Sequence, residues 1–228
     1  MKKDKFFAIG VMSGTSFDGI DISLISSDGK KFFKPLKSSF YKFSSDIRLK
    51  LLKISTNFNE NQYKIASLNS IELEVTQEYV NAIKSFINQN RLKKIDLIGI
   101  HGQTIFHDPK RRICIQLCNS ETLNNALNIK IVSDFRQNDL KFGGEGAPLV
   151  PIFHKMLANY LNLNGNVIFL NLGGISNLTY ISSRGNLKAY DTGPGMTLLD
   201  RYVSLKKKGL FDYNGNYSLK GKVNKKVL

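Results

Sequence analysis

The chain has 228 residues, 42% of them apolar and 22% charged, enough to bury an ordinary core in one large domain or two small ones. No apolar run approaches the roughly 20 residues that span a bilayer, so no membrane segment is expected. The formal net charge of +15 raises the question of nucleic acid. However, the lysines are spread along the chain, and the densest basic regions, Lys206 to Lys208 and Lys220 to Lys226, carry no aromatic-interleaved or zinc-binding motif, so no nucleic-acid partner is expected.

Phe6 to Met12 is too short for a signal-peptide core and is read as a first strand. It enters the loop Ser13-Gly14-Thr15-Ser16-Phe17-Asp18-Gly19, after which Ile20, Ile22 and Leu24 alternate with polar neighbours as a second strand. Asp28-Gly29 turns the chain into a third strand containing Phe32, Phe33 and Leu36, giving an antiparallel meander. Ile65, Leu68, Ile71, Val75, Tyr79, Ile83 and Phe86 then recur at helical spacing and predict one long helix with an apolar core face. Asp96 to Ile100 reads as a buried strand ending at His101-Gly102-Gln103-Thr104, and Ile113 to Leu117 as its neighbour. Cys114 and Cys118, the only cysteines, share a face of that strand but lie too close along it for a disulfide, which fits a reducing cytoplasm.

Another helix and strand lead to Asp134-Phe135-Arg136. Gly143-Gly144-Glu145-Gly146 precedes Ala147-Pro148, where proline suits the first turn of a helix running to about Leu161. After a break at Asn164-Gly165, Val167 to Leu170 enters Asn171-Leu172-Gly173-Gly174-Ile175-Ser176-Asn177 and emerges as Leu178 to Ile181, so the opening strand-loop-strand pattern returns. The expected class is α/β with two domains, residues 1–164 and 165–228. The second is small for a partner domain and short of helices to cover its sheet.

Glycine loops let backbone amides approach phosphates, and Thr15 and Ser16 add hydroxyl donors. A P-loop would require Gly-Lys-Ser/Thr, and a dinucleotide fold would start a helix after Gly14; neither occurs here. Two such hairpins in successive domains are how actin-like ATPases and sugar kinases grip a nucleotide. His101 and His107 have no cysteine or carboxylate at zinc-ligand spacing, and Ser13-Gly14-Thr15-Ser16 lacks the setting of a hydrolase elbow. His107 and His154 are assigned to structure.

The segments Ile9 to Asp21, His101-Gly102-Gln103-Thr104, Asp134-Phe135-Arg136, Gly143 to Pro151, Asn171 to Asn177 and Asp191-Thr192-Gly193-Pro194-Gly195 together resemble, in order and spacing, the 1,6-anhydro-N-acetylmuramic acid kinase family. The resemblance covers essentially the whole chain. It implies an actin-like fold and a cytoplasmic enzyme of cell-wall recycling that uses ATP and Mg²⁺. Water would open the anhydro bridge at the anomeric carbon while O6 receives the γ-phosphoryl group.

By the same resemblance Asp191 is the catalytic base. Gly14, Thr15, Ser16, Phe17, Asp18, Gly19, Ile20 and Asp21, with Gly173 and Gly174, surround the ATP phosphates. Asp21 orients Mg²⁺, through water in one version, while Asp18 forms the turn. His101, Gln103, Arg136, Thr192 and Gly193 contact the sugar, with Arg136 suited to the lactyl carboxylate. The family usually has Gln at Glu145 and Asn at Met196, and it continues well beyond Leu228, so the second domain is expected to be incomplete. A homodimer is compatible with the resemblance. The alternatives are a truncated sugar- or nucleotide-binding relative without catalysis, and a non-kinase actin-like ATPase.

Overall fold

A computed structural model of the chain describes residues 5–56, 58, 65–209 and 211–226. β1 (Phe6–Ser13), β2 (Gly19–Ser27) and β3 (Phe33–Lys42) form the expected antiparallel meander. Alternation sends Ile9, Val11 and Ser13 of β1 and Ile20, Ile22 and Leu24 of β2 into the core, leaving Gly10, Met12 and Asp21 on the opposite, exposed face. α1 (Ser45–Thr56) contributes Ile47 and Leu51, and α2 (Ile65–Gln89) contributes Ile71, Val75, Tyr79, Ile83 and Phe86, all buried as their spacing predicts. The side chain of Ile65, expected on the same stripe, lies outside the described residues.

β4 (Leu97–Asp108) differs from the short strand read from the sequence. Its first residues run parallel to β1 and to β6 (Ile131–Val132), while the residues from Gln103 onward pair antiparallel with β5 (Ile113–Leu117). The change of partner falls at Gly102, which has φ +75°; a Cβ there would lie 3.1 Å from Cys118 Cβ. The glycine lets a strand turn that looks, in sequence, like a strand end. The sheet order is β3-β2-β1-β4-β5, with β6 also on β4, so β1 and β4 are central and the class is mixed α/β.

α3 (Ser120–Leu127) is capped by the Asn119 side chain, which accepts from the Thr122 amide, and α4 (Phe135–Lys141) follows β6. The short α4 was not legible as a helix in the sequence. α5 (Pro151–Tyr160) begins at Pro151, later than expected, and it is this proline that fills the first helical position. Cys114 is buried and Cys118 half-buried, both as free thiols. Burial raises the Cys114 thiol, and burial followed by the nearby Glu72 charge pushes Cys118 to about 12.

The chain divides into two compact units, Met1–Ile152 and Phe153–Leu228. The division thus falls ahead of the expected boundary near Gly165, and His154 of α5 is tied to the second sheet. The His154 ring stacks on Phe169 at 4.8 Å and its Nδ1 lies 2.8 Å from Thr179 Oγ1. That sheet, in the order β7 (Val167–Leu172), β8 (Ile175–Ile181) and β9 (Leu187–Pro194), is antiparallel and is followed by α6 (Thr197–Leu205). Among the described residues no helix is long and apolar enough to cross a membrane.

Candidate active site

In the first unit the β1–β2 loop is rooted from below. Ser13 Oγ and Tyr79 Oη share a buried hydrogen bond of 2.5 Å, Phe17 N–H donates to Gly14 O at 3.3 Å, and Asp18 O accepts from Phe43 N–H at 3.2 Å. Asp18 also accepts from Ser16 Oγ at 2.7 Å, consistent with a turn former. Phe17 sits in the left-handed region at φ +53° with its ring 4% exposed, and Ile20 is 1% exposed. Both side chains belong to the core, so only their backbone can face a ligand.

The two loop glycines serve different ends. A Cβ on Gly14 meets only Ser16, at ordinary contact distance, which leaves room for an anion. A Cβ on Gly19 would lie 2.3 Å from Tyr41 O and 2.6 Å from the Phe40 ring, so Gly19 is a packing glycine required by β3. Asp21 stands on the exposed face of β2. Partial burial, followed by the negative charge of Asp18, raises its carboxyl above the ordinary range. Among the described residues no group of three or more potential metal ligands occurs. A magnesium ion commonly uses one or two carboxylates plus phosphate oxygens, and Asp21 and Asp18 are the carboxylates this loop offers.

His101 and Arg136, far apart in sequence, meet in the structure: Arg136 Nε donates to His101 Nε2 at 3.0 Å. A guanidinium only donates, so Nε2 must accept, the proton resides on Nδ1, and Nδ1–H donates to Gly102 O at 2.8 Å. Gln116 Nε2 fixes the His101 carbonyl at 2.6 Å, and Gln137 Nε2 holds Cys114 O at 2.8 Å. Burial, then the Arg136 charge, lowers the His101 pKa. Because its folded value lies below the unfolded one, the unfolded chain binds the extra proton first, and stability is lost as pH falls through the unfolded value of about 6.5. His154 is shifted the same way by burial. We expect the midpoint of thermal unfolding to drop between pH 7.5 and 5.5, and His101→Asn to remove part of that drop; a parallel profile would show that His101 titrates normally.

Gln103 departs from the sugar contact expected of it. Its side chain is 0% exposed, and its Nε2 donates to Gly14 O at 3.0 Å and Thr104 O at 3.2 Å. The amide is committed to the protein interior and cannot reach a sugar.

In the second unit the Gly173-Gly174 turn joins β7 to β8. Its carbonyls are taken up at the start of α6: Gly173 O accepts from Met196 N–H at 2.8 Å, and Gly174 O accepts from Gly195 N–H at 2.9 Å and Thr197 Oγ1 at 2.7 Å. Gly195 fits because a Cβ there would lie 2.2 Å from Gly173 O. Met196 occupies the N-cap position of α6 without a side-chain cap, a place where Asn would have supplied one.

Asp191 is exposed on β9 beside a bulge: Ser176 pairs with Gly193 and Asn177 with Asp191, leaving Thr192 as the extra residue, with its hydroxyl on Ser176 O at 3.1 Å. Register also places Asn171 opposite Asn177. Asn171, Asn177 and Asp191 therefore form one cross-strand polar row at the turn end of the sheet. The two asparagines were not among the residues singled out as functional. Their signal was their place flanking the glycine turn, but only strand register aligns them with Asp191.

Among solved structures, the chain is similar to a Ppx/GppA family member from Aquifex aeolicus, with TM-score 0.40 and 9% identity over 86% of this chain and 54% of that one. It is also similar to the ethanolamine utilization protein EutJ from Carboxydothermus hydrogenoformans, with TM-score 0.36 and 11% identity over 92% and 60% of the two chains. Among curated proteins, it is 38% identical over 220 residues to an anhydro-N-acetylmuramic acid kinase of Bradyrhizobium diazoefficiens, covering 94% of this chain and 60% of that protein. The protein of the same name from Methylobacterium nodulans is 39% identical over 236 residues, covering 97% and 63%. The chain thus spans about three fifths of the length of these curated relatives. The family model for anhydro-N-acetylmuramic acid kinase matches residues 6–228, and the chain belongs to that family.

Proposed function

We propose that the chain carries the phosphate-binding loops and catalytic base of an ATP-dependent kinase that converts 1,6-anhydro-N-acetylmuramic acid to N-acetylmuramic acid 6-phosphate. The observation that carries the proposal is the exposed Asp191 carboxylate, set by a β-bulge next to the Gly173-Gly174 turn within a chain matched to the family over residues 6–228.

In this reaction Asp191 takes a proton from water as the water oxygen bonds to the anomeric carbon. The bond from that carbon to O6 breaks, O6 bonds to the γ-phosphorus, and ADP leaves. In the first unit the amides of Gly14 to Ser16 form one phosphate-facing loop, shaped by Phe17, Asp18, Gly19 and Ile20; in the second unit the Gly173-Gly174 turn is a phosphate-facing loop of its own. Asp21 would hold magnesium, directly or through water, and the ion would supply charge neutralisation at the β- and γ-phosphates. The His101–Arg136 pair suits the lactyl carboxylate, because the imidazole holds Nε and so orients the guanidinium plane. Thr192 and Gly193 flank the base on the sugar side. Two free, buried or half-buried thiols favour a cytoplasmic setting.

The direct test incubates the 228-residue chain with ATP and 1,6-anhydro-N-acetylmuramic acid, with and without Mg²⁺, and looks for the 6-phosphate by mass. Magnesium-dependent product is expected. ATP hydrolysis indifferent to the sugar would point instead to an actin-like ATPase, and neither reaction from a folded chain would point to a binding protein.

A further inference from the structure

We propose that Gln103 is a positioning residue for the nucleotide loop, holding the Gly14–Thr15 peptide in the orientation that presents the Thr15 amide to phosphate. The inference rests on the nucleotide reading of the loop given above and extends it to a residue that cannot itself touch the ligand.

Gln103 occupies the junction of three strands, opposite Ser13 on β1 and Leu117 on β5. Its two hydrogen-bond partners, Gly14 O and Thr104 O, are both carbonyls, so only the NH₂ end of the amide can face them and its orientation is fixed. The opposite atom, Oε1, is buried with no hydrogen-bond partner among the described residues. A buried acceptor left unsatisfied is unfavourable, and an apolar side chain of this volume would avoid it, so the arrangement favours the bond to Gly14 over optimal packing.

The consequence follows from peptide planarity. In a trans peptide the carbonyl of Gly14 and the N–H of Thr15 point in opposite directions. Drawing Gly14 O inward onto Gln103 therefore turns the Thr15 N–H away from the core, toward the side where Thr15 and Ser16 are exposed. The neighbouring anchors act elsewhere: Tyr79 holds Ser13, and the Phe17 ring pins the far side of the loop. Among the described residues the other hydrogen bond to Gly14 O, from Phe17 N–H, is longer at 3.3 Å.

Gln103→Met keeps the volume and removes the donor, and Gln103→Glu places an acceptor against a carbonyl. Both are expected to raise the KM for ATP and the Kd for ADP about tenfold, with KM for the anhydro-sugar and kcat within about twofold of the parent, and to speed hydrogen exchange across residues 14–18. A general loss of packing would instead alter both substrates' KM and kcat together. Unchanged ADP affinity and unchanged exchange in a folded variant would overturn the proposal. A readout on the unaltered chain covers the case of unfolded variants: the Gln103 side-chain amide resonance should shift on ADP saturation, and its indifference to ADP also counts against the role. The kinase reading fails separately. A chain that makes no sugar phosphate, yet loses ADP affinity and loop protection on Gln103→Met, keeps Gln103 in this role.

Discussion

Asp191→Asn, which removes the proposed general base, is expected to lower kcat by about a thousandfold while leaving ADP affinity within about twofold. The substitution keeps the shape of the side chain and deletes only its basicity. Because Asp191 is exposed at the bulge on β9, the fold has little stake in its charge, and the melting temperature should stay close to that of the parent. Equal losses in nucleotide binding and turnover would instead assign Asp191 to binding. Thr192→Val provides a contrast, since it cuts the hydroxyl bond to Ser176 O that helps hold the bulge without touching the carboxylate.

Gly19→Ala is expected to destabilise the first unit by about 3 kcal/mol, read as a fall in the urea midpoint without a change in slope. The added methyl would lie 2.3 Å from Tyr41 O, a backbone atom fixed by the β2–β3 ladder. It cannot rotate aside, so the strands must part. Gly14→Ala is the matched control in the same loop. Its methyl meets Ser16 at ordinary van der Waals distance, so stability should move by no more than about 0.5 kcal/mol while nucleotide affinity falls. Similar destabilisation by both substitutions would mean that the loop glycines share one structural role.

The difference between these glycines marks the limit of what the sequence discloses. Spacing alone predicted the β1–β2 hairpin, the apolar stripe of α2 and the recurrence of a glycine turn between β7 and β8, because those patterns depend on local alternation and helical period. The phosphate reading of the loop is local in the same way, since glycine with adjacent hydroxyls suits phosphate wherever it occurs. Long-range pairing was not. The passage of β4 from β1 to β5 at Gly102, the meeting of His101 with Arg136, and the inward turn of Gln103 depend on residues between 15 and 89 positions apart. The family resemblance places Gln103 on the sugar; its hydrogen-bond partners in space are the carbonyls of Gly14 and Thr104. The split of α5 from the first unit had the same origin, since the affinity of His154 for Phe169 and Thr179 is a tertiary fact.

The environment of the two thiols has a practical side. With Cys118 pushed to about 12 and Cys114 raised by burial, almost no thiolate exists at neutral pH, and thiolate is the species that alkylates, oxidises and exchanges. The protein should therefore tolerate purification without reductant. It can also accept a reporter dye through one newly introduced surface cysteine, with both native ones left in place.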